Sequence, residues 1–237
     1  TVTISGGTPP SYLWSNGDTT QQISNLIAGT YTCTLTVSSG CSNSDSVTIT
    51  EPSPILAIED VTNINCHGDT TGEIQIMGNT VTGGIPGSTG YDVQYEHPIY
   101  GNSSFTILPS TISSTLLGFT AGFHILQYTD SVGCTYISNV FIDEPQALSI
   151  TSISNNVDCH GDSTGTINIT ASGGTGNLNY SWSNGETTED IDSLPEGDYI
   201  INITDSFGCT FNDAISITEP ISPLLINTLL IVDQTSC

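Results

Sequence analysis

Apolar and polar positions alternate with a period of two along most of the chain, and helical spacing is nearly absent. After Cys159, the residues Ile167, Ile169 and Ala171 are separated by polar neighbours, as are Tyr199, Ile201 and Ile203, then Ile215 and Ile217. Successive side chains of a strand point to opposite faces, so this alternation predicts strands with one buried face. Turn signals separate the runs: Gly173-Gly174-Thr175-Gly176, Asn184-Gly185, Pro195-Glu196-Gly197 and Ser206-Phe207-Gly208. The spacing predicts about seven short strands folded as a two-sheet sandwich.

These signposts recur. Cys66-His67-Gly68-Asp69 repeats Cys159-His160-Gly161-Asp162, Gly133-Cys134 and Gly40-Cys41 repeat Gly208-Cys209, and Glu51-Pro52 and Glu144-Pro145 repeat Glu219-Pro220. Self-similarity of this kind marks an array of supersecondary units. The expected division is residues 1–52 as the C-terminal part of a truncated sandwich, 53–145 as a complete repeat with an insertion, 146–220 as a complete repeat, and 221–237 as the start of another. The apolar run Leu224 to Val232 is read as the opening strand of that last unit. Proline lacks the amide donor that a strand ladder uses, so each Glu-Pro ends its module. Short linkers then favour an extended array.

Trp182 and Tyr199 are expected to fill the core, with Tyr199 resembling a tyrosine corner; Trp14 and Tyr31 repeat the pair. The second repeat departs from this pattern. Tyr95 or a neighbour stands near the Trp position, His124 replaces the Tyr, and the repeat is longer by 18 residues between its cysteines. The extra residues fall within Tyr95 to Leu116. Because loops on a rigid scaffold often carry binding, Tyr95, His97, Tyr100 and Phe105 are the candidates for a ligand site.

Charge narrows the partners. The chain has 237 residues, of which 24 are acidic and none is Lys or Arg, for a formal net charge of -24. Nucleic acid and anionic membranes are excluded as electrostatic partners, since both require basic side chains. No segment reads as a membrane span, so direct membrane insertion is not expected either. Trypsin, which cuts after Lys and Arg, should leave even the denatured chain whole, a result that a single gel lane checks.

The cysteines imply an oxidising, extracellular setting. Cys66 with Cys134 and Cys159 with Cys209 occupy equivalent places in the two complete repeats and are expected to pair within each. Such a loop closure contributes roughly 4 kcal/mol in the chain-entropy model. Cys41 and Cys237 are expected to find partners beyond the two ends of the sequence. Cys33 lies on a strand where the third repeat has Ile201, and is expected to be a buried free thiol.

Taken together, Cys159, Gly161, Gly165, Ile167, Gly173-Gly174, Tyr180, Trp182-Ser183, Gly185, Leu194, Gly197, Tyr199, Asp205, Gly208-Cys209 and Glu219-Pro220 resemble the SprB repeat of bacterial gliding-motility adhesins. The resemblance covers the third repeat almost completely, the visible part of the first well, and the middle of the second loosely. It implies an all-β fold of tandem immunoglobulin-like or PKD-like β-sandwich modules. It also implies a long cell-surface protein exported by type IX secretion, held at the outer membrane through other parts of the parent chain, and moved by gliding machinery over polysaccharide or a solid surface.

No chemistry stands out from this background. Zinc would require convergent ligands, and the cysteines are assigned to disulfides. Calcium suits the abundant carboxylates, and Asp69, Glu73, Asp130, Asp162 and Asp205 are its candidates, read as gathering near the disulfide end of their modules. Turn capping is the competing role for these aspartates. Asp-Ser/Thr triplets such as Asp130-Ser131-Val132 and Asp192-Ser193-Leu194 are similar to a bacterial O-glycosylation signal. Serine lacks a nucleophile-elbow context and no catalytic residue is assigned. The sequence reads as a non-enzymatic adhesin segment, with a calcium-assisted glycan-binding module or a spacer inside a large secreted enzyme as the alternatives.

Overall fold

The computed structural model describes residues 11–109 and 113–221. The run Leu224 to Val232, Cys237 and the expected 221–237 unit lie outside this range, Ile221 excepted. Among the described residues the regular structure is strand, apart from one 3-10 turn at Gly78–Thr80. No helix there is long and apolar enough to cross a membrane.

In the first repeat, β1 (Ser11–Trp14), β2 (Gly29–Thr36) and β3 (Ser42–Ile49) form one antiparallel sheet in that order. The second contains β4 (Glu59–Thr62), β5 (Gly72–Ile76), β6 (Tyr91–His97), β7 (Gly101–Ile107), β8 (Ser114–Phe119), β9 (Gly122–Thr129) and β10 (Thr135–Ile142). These divide into sheets β4-β5-β8 and β10-β9-β6-β7. The third contains β11 (Ser149–Asn155), β12 (Gly165–Ser172), β13 (Asn179–Trp182), β14 (Ile191–Leu194), β15 (Gly197–Thr204) and β16 (Thr210–Ile217), in sheets β11-β12-β14 and β13-β15-β16.

The expected strand number therefore holds for the second repeat, while the third has one fewer. The difference is β7, which is built from the inserted residues and extends the sheet by pairing along β6. The second and third repeats each have their own core. One is drawn from Ile55 to Ile142 and centres on Ile74, Ile76, Phe119, Leu126 and Tyr128; the other runs from Val157 to Ile217 around Ile167, Trp182, Ile201 and Ile203. Alternation explains both, because the inward positions of β15 are buried while Ile200 between them is exposed.

Corresponding residues occupy like cross-strand positions. Trp182 lies opposite Ile201, Trp14 opposite Cys33, and Tyr95 opposite Leu126. Cys33 is a buried free thiol, and burial pushes its pKa up. The Tyr199 hydroxyl donates to Pro195 O at 3.0 Å, and the Tyr31 hydroxyl to Ile27 O at 3.0 Å. His124 takes the same place with Nε2 2.8 Å from Thr120 O, so an imidazole ties the corner that a phenol ties elsewhere. Tyr199→Phe removes only the hydroxyl and should cost about 1 kcal/mol in denaturant unfolding. His124→Phe should weaken the second repeat similarly.

The cysteine pairing differs from the expectation. Cys66 is bonded to Cys209, 143 residues away and in the next repeat, while Cys134 and Cys159 are free and exposed. The two cysteines of one repeat sit at opposite ends of its last strand. Cys209 immediately precedes β16, whereas the Cys159 turn docks beyond its far end, where Gly161 N donates to Glu219 Oε2 at 2.7 Å. Eight strand residues span about 26 Å. A disulfide needs Cα atoms within about 7 Å, so pairing inside either repeat is geometrically closed. Cys66 and Cys134 are separated by β10 in the same way.

Candidate functional site

The site that the sequence builds with most care is the joint between the second and third repeats. Its first half is the Cys66-His67-Gly68-Asp69 turn, closed by Asp69 N donating to Cys66 O at 3.1 Å. This turn grips the strand exit: Gly68 N donates to Glu144 Oε2 at 2.7 Å, and His67 Nδ1 lies 3.2 Å from both Glu144 Oε1 and Pro145 O. Both neighbours of Nδ1 are acceptors, which assigns the ring proton to that nitrogen. Ile64 N to Asp143 O and Asp143 N to Asn63 Oδ1, each 3.0 Å, fix the approach.

The second half is the turn before Cys209. Asp205 is buried, and its Oδ1 accepts from Phe207 N and Cys209 N at 2.9 Å each while Oδ2 accepts from Thr175 N at 2.8 Å. One carboxylate thus fastens the cysteine turn to the Gly173-Gly174-Thr175 turn. The linker crosses directly over that pair, with Gly174 N donating to Gln146 O at 2.8 Å. At Gly173 φ is +84°, and a Cβ there would stand 2.0 Å from Ala147 O, so no side chain fits.

The Cys66–Cys209 bond locks the halves together, and Cys209 Sγ lies 3.3 Å from Asn65 O. A groove of about 390 Å³ beside it is lined by Cys66, His67, Asp69, Leu148, Gly174 and Cys209. The joint offers covalent continuity and a fixed approach of two rigid bodies. It contains no nucleophile paired with a base.

Electrostatics favour the turn at neutral pH. Burial opposes ionisation of Asp205, but hydrogen bonds from Thr175, Cys209, Phe207 and Gly208 outweigh it and hold its pKa below the ordinary value. For Asp130, the bond from Ile85 N leads, burial opposes, and those from Cys134, Val132 and Gly133 reinforce the lowering. A depressed folded-state pKa gives stability that is complete above the unfolded value, near 3.9, and is lost as pH falls through the lower folded one. Melting temperature should therefore drop below about pH 4. Asp205→Asn should melt several degrees lower at neutral pH and show a flatter acid limb, measured by circular dichroism.

The calcium candidates do not gather at one end of each repeat. Asp130 and Asp205 belong to the turns before Cys134 and Cys209, whereas Asp69 and Asp162 belong to the turns at the opposite ends. The strands β10 and β16 lie between them. Glu73 is on β5, opposite Thr62. Among the described residues no three His, Cys, Asp or Glu side chains converge as a ligand set. Asp130 and Asp205 have backbone donors on both oxygens, the capping role that competes with metal binding.

The four aromatic candidates lie together. Tyr95 packs edge-on against Phe105 and near buried Phe119, with ring centroids 6.1 Å apart in both pairs, and His97 stacks 4.7 Å from Tyr100. His97 is buried: Nε2 is 2.8 Å from Leu117 O, while Nδ1 accepts from Ile99 N and Tyr100 N. Tyr100 is 79% exposed and is the freest of the four. The outer face of the sheet adds residues that sequence reasoning missed. Phe123 and Phe141 stack there at 4.8 Å, 76% and 50% exposed, on the non-core positions of β9 and β10. Apolar residues at outward positions of an otherwise alternating strand were the available signal.

Residues 151–187 match the family model described as SprB repeat. No curated protein matches the chain in sequence. Among solved structures, the C-terminal 282-residue fragment of intimin, in complex with the intimin-binding domain of the translocated intimin receptor, is 15% identical. That match covers 70% of this chain and 64% of that one, with a TM-score of 0.34. The N-terminal four Ig domains of Dscam1 isoform 6.44 are 12% identical, covering 89% and 64%, with a TM-score of 0.27. The chain thus spans about 64% of the length of these structures.

Proposed function

We propose, taking the SprB repeat at residues 151–187 as the premise, that this chain is a non-enzymatic stretch of a large cell-surface adhesin. It acts outside the cell as stalk and adhesive filament in gliding and attachment, and bears tension between the cell and polysaccharide or a solid surface. The observation that carries this reading is the covalent joint, in which the exit of one sandwich is bonded to the entry of the next. A filament that must transmit pulling force without lengthening requires such joints, whereas a globular enzyme does not. The charge of -24 keeps neighbouring filaments apart. Secretion by the type IX route and coupling to gliding machinery belong to other parts of the parent protein.

Antibody raised against the chain tests this on the bacterium that encodes it. Intact cells should be labelled, and bound antibody should reduce attachment to glass and the movement of cells or surface-bound beads. Labelling only after lysis, or attachment and movement unchanged by saturating antibody, overturns the reading.

One observation favours a glycan-binding second reading. A groove of about 410 Å³ on the second repeat is lined by Gln94, Tyr95, Glu96, Asn102, Ser103 and Gln127, next to the exposed Phe123 and Phe141. Amides beside aromatic faces suit a sugar, and saturable binding on a glycan array would establish it. Loss of that binding with chelator would add calcium.

A further inference from the structure

We propose that Cys134 and Cys159 are the two halves of further inter-module disulfides, each bonding a cysteine of an adjoining module of this same type as Cys66 bonds Cys209. Two free cysteines alone would carry little. Here each reproduces the complete setting of a cysteine already bonded in this chain.

Cys159 copies Cys66. Asp162 N donates to Cys159 O at 3.1 Å and Gly161 N to Glu219 Oε2 at 2.7 Å, while His160 Nδ1 lies 2.7 Å from Glu219 Oε1 and 3.2 Å from Pro220 O. Val157 N to Thr218 O and Thr218 N to Asn156 Oδ1 repeat the approach seen at Ile64 and Asp143. The same turn therefore presents its sulfur at the exit of the third module.

Cys134 copies Cys209. Asp130 Oδ1 accepts from Val132 N and Cys134 N at 3.0 and 2.8 Å, and Oδ2 accepts from Ile85 N at 2.8 Å. The Gly83-Gly84 pair lies under the incoming linker, with Gly84 N donating to Ser53 O at 2.7 Å, as Gly174 does to Gln146. Both free cysteines are exposed at their poles. The rule of the joint is that an exit cysteine bonds the entry cysteine of the following module. Within residues 53–221 only Cys66 and Cys209 stand in that relation.

Each bond forms when two thiols give two protons and two electrons to a disulfide oxidant, such as oxidised glutathione, which leaves as two thiols. The result is a ladder in which every module is bonded to the one before and the one after. This inference does not depend on what the filament adheres to.

The test extends the chain at Ile221 with a second copy of residues 146–221 and maps disulfides without reduction after folding with oxidised glutathione. A peptide joining Cys159 to the added copy of Cys209 is expected, with Cys159 lost to alkylation. In the unextended chain at high dilution, Cys159 and Cys134 should stay fully alkylatable while Cys66 and Cys209 do not. Changing the added Cys209 copy to Ser should return Cys159 to full reactivity in a chain that still melts cooperatively. Should the added module fail to melt cooperatively, the bond is sought between separate chains, as a Cys159–Cys134 crosslink in a concentrated oxidised sample. Cys159 left reactive in a folded extended chain, or bonded to the Cys209 of its own module, overturns the proposal, as does absence of the crosslink in the second arm.

Discussion

Pulled between its two ends, the oxidised protein should extend roughly 500 Å less than the reduced protein. The bond from Cys66 to Cys209 shunts the 143-residue separation between them, and each residue released to full extension adds about 3.3–3.6 Å. Load enters along β4, crosses the bridge and leaves along β16, so most of each core lies outside the stretched path, with Ile64 and Ile217 among the core residues still on it. Both strands remain under tension, but the chain they would release is capped by the bond. Single-molecule force spectroscopy with and without reductant measures the difference directly. Cys66→Ser should behave as the reduced protein does under either condition. Equal contour lengths in the two states would mean that the bond is absent, whereas pairing within each repeat would give a smaller difference of roughly 400 Å. A repeated joint of this kind would cap the extension of the filament while leaving every module conventionally folded.

Trp182→Ala should destabilise the third module by about 3–5 kcal/mol. Trp182 is 3% exposed and packs with Ile167, Ile191, Leu194, Tyr199 and Ile201, the residues that join the two sheets. Its Nε1 donates to Thr188 O at 3.0 Å, which anchors the turn between β13 and β14; Trp14 repeats the bond to Thr20 O at 2.9 Å. Truncation opens a cavity and leaves that carbonyl without its donor, and a domain with ordinary stability of about 5–15 kcal/mol loses a large share. Thermal and urea unfolding followed by circular dichroism should resolve the loss. The transition of the second module should stay in place because its core shares no buried residue with the third. A coincident shift of both would show that the bridged joint couples their unfolding.

The strands and their inward faces were legible in the alternation, because burial on one face of a sheet imposes a period of two whatever the partners are. The Trp and Tyr pairs were legible for a similar reason: each performs a local task, filling a fixed place opposite Ile201 or tying a corner four residues back. Even the departure at His124 followed, since a ring nitrogen can meet the same carbonyl. Strand β7 was not foreseen, because the inserted residues carry turn and strand signals too mixed to separate. The calcium candidates fall at opposite ends of their modules because nearness in sequence to a cysteine is not nearness to its partner.

The sequence by itself determined that this is an all-β, repetitive chain with an SprB-like pattern, uniformly acidic and without Lys or Arg. These follow from composition and from short-range periodicity, which act residue by residue. Only the tertiary structure decided which sulfurs meet. The Cys159 turn folds back on Glu219 and Pro220, which places it a full strand length from Cys209, and no local pattern encodes the end of a strand on which a distant turn will dock. Once that docking is known, equivalent positions in two repeats become the reason that their cysteines pair between modules.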